Sequence, residues 1–292
     1  MRYPRRRNYR RRSMGRRRIL NVSTRKLKDT MPPVVITEGG FASTPGVPKV
    51  MTGQLDYAFA FCASARDSHK LGPNDFPVGQ RGMYQRSLTD VYVRCYKEIV
   101  SMATNSGAQW LWRRLVVNMK TPLWKEFPSL TVQREIPLDD NRTSGQVRTM
   151  YNIGATPDGE TELAKRVYSI IFEGTLDVDW HNVFNAKVDK RFVRVISDKT
   201  MPVQSKNDEA VYKNRHFWDP VNKNMHYNEK EEGGGIKDYP IEEREHQQSK
   251  FSSDGITGCG DLWVFDFFSC ASRTTSDELR FQPNGTFYWH ER

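Results

Sequence analysis

Beyond residue 50 the chain is written in short runs rich in β-branched and aromatic residues, at 55–63, 90–102, 109–119, 166–180, 187–197, 260–268 and 281–290. No feature constrains the fold more, because runs of this length and composition are strand-like. In Val91-Tyr-Val-Arg-Cys-Tyr-Lys97, Val91, Val93 and Cys95 share one face; in Arg191-Phe-Val-Arg-Val-Ile196, Phe192 and Ile196 oppose Val193 and Val195. Leu262-Trp-Val-Phe-Asp-Phe-Phe268 is apolar on both faces and reads as a central strand covered on each side. Thr143-Ser-Gly145, Pro157-Asp-Gly159, Ser253-Asp-Gly255 and Pro283-Asn-Gly285 read as turns between strands. Long helical periodicity is absent, although 101–112 or 161–168 could hold a short helix in a connection, and no βαβ rhythm is present. The expected fold is all-β: an antiparallel eight-stranded jelly-roll sandwich. Its longest loop is expected between 228 and 248, where runs of Glu and Lys surround Gly233-Gly-Gly235 and offer a surface a partner could read.

The first 18 residues cannot belong to such a body. Ten of them are arginine: Arg2, Arg5, Arg6, Arg7, Arg10, Arg11, Arg12, Arg16, Arg17 and Arg18. Ten like charges repel, and almost no apolar surface is available to offset the chain entropy lost on ordering. A disordered or extended basic arm is expected. Arg25, Lys26 and Lys28 extend it, so residues 1–30 hold thirteen cations against Asp29, a net of +12, while the other 262 residues hold 32 cations against 34 acids, a net of −2. The whole excess charge of +10 is therefore in the arm. A planar guanidinium bonds two phosphate oxygens at once, so these thirteen residues are the candidate nucleic-acid contacts, strong and indifferent to base sequence. Tyr3 and Tyr9 could stack on unpaired bases, which leaves single strand and duplex both open. Pro32-Pro33 and the Gly- and Pro-rich stretch 39–48 read as a linker, so residues 1–50 are expected as arm and linker and 51–292 as one folded domain.

Cys62, Cys95, Cys259 and Cys270 lack metal-ligand spacing and read as reduced, mostly buried thiols, which fits a cytosolic or nuclear life. After the arginines only Ile19-Leu-Asn-Val22 is apolar, too little for a secretory signal, and no run of about 18 apolar residues would insert in a membrane. A mitochondrial transit peptide shares the Arg-rich composition, but adjacent triplets do not form one face of an amphipathic helix; a nuclear import signal, read by import receptors, fits the clusters better.

Catalysis finds little support. Asp177-Val-Asp-Trp-His181 would put two carboxylates and an imidazole on one strand face, a set able to hold a divalent metal in a nuclease, but the same residues describe the solvated face of a strand whose other face carries Val178 and Trp180. His216, His226 and His290 stand singly near aromatics. No phosphate-cradling glycine loop, His-x-Glu or Gly-x-Ser-x-Gly occurs, so no enzyme, cofactor or metal is expected.

The block Arg16-Arg-Arg-Ile-Leu-Asn-Val-Ser-Thr-Arg-Lys-Leu-Lys-Asp-Thr-Met31 resembles the segment after the basic arm in capsid proteins of genomoviruses, small circular single-stranded DNA viruses related to geminiviruses. His216-Phe-Trp-Asp-Pro-Val-Asn-Lys-Asn-Met-His-Tyr-Asn228, Gly260-Asp-Leu-Trp-Val-Phe-Asp266 and the tail Ser276-Asp-Glu-Leu-Arg-Phe-Gln-Pro-Asn-Gly-Thr-Phe-Tyr-Trp-His-Glu-Arg292 are similar to later blocks of that family. Residues 50–200 contribute only the strand rhythm. The circovirus capsid also begins with arginine triplets, but the tail here is closer to the genomovirus form. The resemblance implies a jelly-roll subunit that assembles sixty-fold into a small icosahedral virion shell, the arm inside against the circular single-stranded DNA genome; the arginine clusters add an expected passage through the host nucleus. Sixty arms of ten arginines would supply on the order of 600 positive charges against phosphate.

Overall fold

The computed structural model describes residues 23–37, 42–66, 86–120, 134–137, 144–154, 161–205, 209–227, 251–253 and 255–291. Among them, in chain order, are strands β1 (Arg25–Met31), β2 (Pro33–Val35), β3 (Lys49–Thr52), β4 (Tyr57–Cys62), β5 (Asp90–Thr104), β6 (Trp110–Met119), β7 (Arg134–Pro137) and β8 (Ser144–Met150), helix α1 (Glu162–Ile171), and strands β9 (Val193–Val203), β10 (Tyr212–His226), β11 (Asp261–Cys270) and β12 (Glu278–Glu291). The protein is mostly β, and its two main sheets are antiparallel. The first has the order β1-β12-β5-β10, with β3 also on β12; the second is β4-β11-β6-β9; a small third sheet joins β2, β8 and β7, with β2 parallel to β8.

Strict alternation decides what each face touches. In Tyr57-Ala-Phe-Ala-Phe-Cys62, Tyr57, Phe59 and Phe61 enter the core between the two main sheets, while Ala58, Ala60 and Cys62 face the other way. β11 does the same with Leu262, Val264 and Phe268 between the sheets and Trp263, Phe265 and Phe267 behind. Trp112 lies parallel to Phe268 at 5.7 Å and edge-on to Phe217 of β10 at 5.4 Å, locking the sheets together. Each such ring contributes about 1.5–3 kcal/mol by burial.

The back of the second sheet is covered by α1. Thr161 caps it, its hydroxyl accepting from the Ala164 amide at 3.1 Å, and Ala164, Val167, Tyr168 and Ile171 recur at helical spacing to pack on Phe267 and its neighbours. The double-sided apolarity of 262–268 thus has its expected origin, one face on the first sheet and the other under a helix.

Several local expectations are corrected. The run 166–180 is no strand: its first half completes α1, extending the helix expected at 161–168 to Ile171, and its second half is a turn. The stretch 101–112 is the end of β5, a tight connection and the start of β6. Ser144-Gly145 opens β8. Pro283-Asn-Gly285 is no turn but the middle of β12. β3 pairs with residues 278–281 and β1 with residues 285–291, so Pro283, which has no N–H to donate, falls in the gap between two neighbours on that edge. The phase of β5 also slips at Arg94, where both partner strands shift register, so Tyr96 and not Cys95 continues the inward row of Val91 and Val93. β1, β2 and the first residues of β3 lie within the stretch read as arm and linker, and Pro33 opens β2. Pro157-Asp-Gly159 and the charged 228–248 segment lie outside the described residues.

Candidate nucleic-acid interface

Arg2, Arg5, Arg6, Arg7, Arg10, Arg11, Arg12, Arg16, Arg17 and Arg18 lie outside the described residues. Arg25, Lys26 and Lys28 belong to β1, hydrogen-bonded along the C-terminal strand with Lys26 opposite His290 and Lys28 opposite Tyr288. All three are exposed. Alternation sends Lys26 and Lys28 to the outer face of the first sheet and Arg25 to the other side, so the three candidate cations do not act on one surface.

Asp29, the single acid among the first thirty residues, anchors the arm's root. It pairs with the guanidinium of Arg66, whose side chain is 1% exposed and lies 5.1 Å from the Phe287 ring and 5.3 Å from that of Trp289. Removing one partner of such a buried pair costs far more than losing a surface bridge.

The outer face of the first sheet is uncovered by any described element and carries a pattern the sequence reading missed. Lys26, Lys28, Arg94, Lys97 and Arg280 occupy outward or exposed positions on three neighbouring strands, among Tyr92, Trp218, Tyr288 and His290. Lys97 stands at the centre, its ammonium 4.5 Å from the Trp218 ring and 5.2 Å from that of Tyr288, within reach of cation–π attraction. Trp218 is 52% exposed and Ile99 48%. A cleft of about 870 Å³ runs across this region, floored by Lys97, Trp218 and Tyr288, edged by Pro32, Pro33 and Gly46, with His216, Asn284 and Thr286 offering polar groups. Among the described residues the acids at outward positions of this sheet are Asp90, which accepts from or pairs with His226 at 2.7 Å, and Glu278. They open β5 and β12, at opposite ends of the face. Burial, with Lys26 and Arg94 nearby, holds the His290 imidazole below its ordinary value, so the face's cations act together on that ring. Part of the signal was present in the sequence: Lys97 and Tyr288 sit on the outward phase of runs read as strands, 90–102 and 281–290, whereas Trp218 lies on β10, which was not read as a strand.

Between the sheets lies a second charged group, also missed. Arg114 of β6 bonds Glu98 of β5 at 2.9 Å and Asp219 of β10 at 2.8 Å. Arg148, entering from β8, bonds Glu98 at 3.0 Å and Asp266 of β11 at 2.5 Å. Trp112 donates to Asp266 at 2.9 Å and the Tyr96 hydroxyl to Glu98 at 3.0 Å. Arg114 and Asp266 face each other directly across β6 and β11, each on the inward phase of its strand among buried apolar neighbours such as Trp112, Val116, Val264 and Phe268. Burial raises Asp266 to about 6, Glu98 adding to the rise while Arg148 and Arg114 oppose it. Burial also opposes ionisation of Glu98, but Arg114 and Arg148 outweigh it and hold that carboxyl below its ordinary value. Burial pushes the Cys62 thiol well up, leaving it protonated and inert. The four cysteines are free thiols.

The proposed metal trio is not assembled. Residues 177–181 form a turn, not a strand, with Asp177 at φ 66°. His181 Nδ1 lies 3.3 Å from Asp177 Oδ1, both largely exposed, while Asp179 Oδ2 accepts the Thr175 amide at 2.7 Å. Trp180 instead anchors the turn beneath α1, against Tyr168 and Phe172. Among the described residues no group of three His, Cys, Asp or Glu side chains is placed to hold a metal, and no helix is long and apolar enough to cross a membrane. No family model matches the chain, and no curated protein matches it.

Proposed function

We infer that the protein is a viral capsid subunit of the genomovirus kind, a structural protein that assembles into a small icosahedral shell of sixty copies and packages circular single-stranded DNA. The observation that carries this reading is the separation of charge: +12 in residues 1–30 and −2 in the remaining 262, with the basic segment rooted in the edge of a two-sheet β body. A nearly neutral body can pack against copies of itself without the self-repulsion a large like charge would impose, and the arm delivers arginine to phosphate. The jelly-roll reading draws on the strand orders. Setting aside the short β3, which pairs only with the start of β12, the other eight strands of the two main sheets, β1, β4, β5, β6, β9, β10, β11 and β12, run first-eighth-third-sixth and second-seventh-fourth-fifth. That interleaving of early and late strands is the one two nested Greek keys produce. The arginine triplets double as a nuclear import signal before assembly, recognised by import receptors, and the virion and host nucleus are the protein's locations.

Electron microscopy of the purified protein tests the reading. Uniform closed shells, with DNA inside that resists nuclease until the shells are opened by salt, are expected. A stable monomer, with or without single-stranded DNA, overturns it. Loss of nuclear accumulation when Arg5, Arg6, Arg7, Arg10, Arg11 and Arg12 are replaced by alanine is expected of the import role; unchanged accumulation removes it.

A further inference from the structure

We propose that the outer face of the first sheet is a second binding surface for single-stranded nucleic acid, with Lys97, Trp218 and Tyr288 at its centre and Lys26, Lys28, Arg94 and Arg280 around them. The inference rests on the packaging reading for its partner, and it assigns the body, not only the arm, a direct part in holding the strand.

Charge complementarity names the occupant. Five cations stand on this face against Asp90 and Glu278, the acids among the described residues at its two ends. Lys26 and Lys28 bring charge of the basic segment onto the face, and Arg94, Lys97 and Arg280 add to it from a chain that beyond residue 30 is net negative. A second copy of the chain meeting this face symmetrically would set Lys97 and Arg94 against their own equivalents, which disfavours self-association there. A phosphate backbone meets no such opposition.

The aromatic groups make the preference single-stranded. A base in a duplex hides its faces in the stack, whereas an unpaired base can lie on an exposed ring. Trp218 is half exposed, Tyr92 lies 5.8 Å from His290, and Lys97 is held beside Trp218 and Tyr288, so a phosphate at the ammonium would leave its bases near the rings. Asn284, Gln282, Thr286 and His216 along the cleft offer hydrogen bonds without a fixed base code.

The arm is continuous with this surface. Lys26 and Lys28 follow Arg18 by eight and ten residues, a reach of at most about 28–35 Å in extended chain, so one strand can pass from arm to sheet face without leaving positive charge.

The test uses the full-length protein and single-stranded oligothymidylate carrying 5-iodouracil, irradiated and mapped by mass spectrometry, with salt titrations of binding alongside. Crosslinks at Trp218, Tyr288 or Tyr92 are expected in addition to crosslinks within residues 1–22. With Lys97→Glu and Arg94→Glu together, binding should weaken about tenfold and the salt dependence should become shallower by roughly 0.7 for each phosphate no longer neutralised. Trp218→Ala, which leaves every charge in place, should weaken binding about tenfold through stacking with the salt slope unchanged, a split that unfolding would not produce. Crosslinks confined to residues 1–22, with both variants binding as the parent does, overturn the sheet face and leave the arm standing. Crosslinks on the sheet face with none in residues 1–22 uphold the face and refute the arm. Competition by duplex as effective as by single strands overturns the assignment to unpaired bases.

Discussion

Two guanidiniums and three carboxylates share the buried space between the main sheets, so one carboxylate is in excess of its cations, and Asp266 is the group that burial and Glu98 lift to about 6 from an ordinary 3.8. A carboxyl raised in this way binds its proton more tightly in the folded than in the unfolded chain. Its contribution to stability is complete below the ordinary value and is lost as pH rises through about 6, by about 3 kcal/mol in all. Glu98, held below its ordinary 4.5, works oppositely and only at more acid pH. His290, held below 6.5, opposes Asp266 nearby, which is why the comparison must be against a variant. Between about pH 7.5 and 5, the urea midpoint of the parent should rise relative to that of Asp266→Asn; a constant difference would mean that Asp266 does not titrate there. Gly285 guards the same network. An alanine Cβ there would stand 2.1 Å from the Tyr96 hydroxyl, the group that donates to Glu98. Gly285→Ala should destabilise by about 1–3 kcal/mol in urea titration, and Tyr96→Phe in the same chain should regain part of that stability, a non-additivity expected of residues that touch.

At the scale of elements, alternation carried most of what the sequence disclosed, and the failures have particular causes. Val167, Tyr168, Ile170 and Ile171 have strand composition but helical placement once Thr161 caps the segment and Ala164, Val167, Tyr168 and Ile171 fall on one face; local composition was overridden by a cap and a spacing. Ile171→Ala should therefore cost about 2–5 kcal/mol and Thr161→Ala about 1 kcal/mol, read from urea midpoints. A near-wild-type Ile171→Ala would remove α1 from the core. Pro283 looked like a turn because the gap between β3 and β1 along β12 is a tertiary fact invisible to a window of four residues. The inward charges Arg114 and Asp266 were legible as polar residues on the buried phase, yet Glu98, Asp219 and Arg148 come from distant strands that only pairing unites. The candidate site divides in the same way: the arginines are plain in composition, whereas Lys97, Trp218 and Tyr288 are 70 or more residues from one another and meet only through the register of β10 and β12 on β5. β1 itself hangs on Asp29. Asp29→Ala strips the buried Arg66 of that carboxylate and should cost about 3–5 kcal/mol, seen as faster protease cleavage at Arg25, Lys26 and Lys28. Unchanged cleavage would show that pairing to β12 alone holds the strand.

For the whole molecule, the position of β1 divides the basic segment into two parts with different tasks. Residues 1–22 hold ten arginines and no acid, so the chain that remains after their removal has 35 cations and 35 acids and is neutral. Residues 25–31 hold three more cations but are also a strand covering the 285–291 edge of β12. Truncation after residue 22 should leave the body folded, whereas truncation after residue 31 should uncover that edge and cause association through unpaired strand groups, visible as concentration-dependent light scattering. Binding of oligothymidylate separates the charges further. Each neutralised single-strand phosphate contributes roughly 0.7 to the slope of log affinity against log salt, so ten arginines account for at most about 7 and the five cations of the sheet face for at most about 3.5. Removing residues 1–22 should lower the slope toward that second figure and keep the dependence on Trp218. A truncated chain with the full-length slope would mean that the arginines hold no DNA. A truncated chain with no measurable binding would leave the arm as the whole of the interface and the sheet face without a role in it.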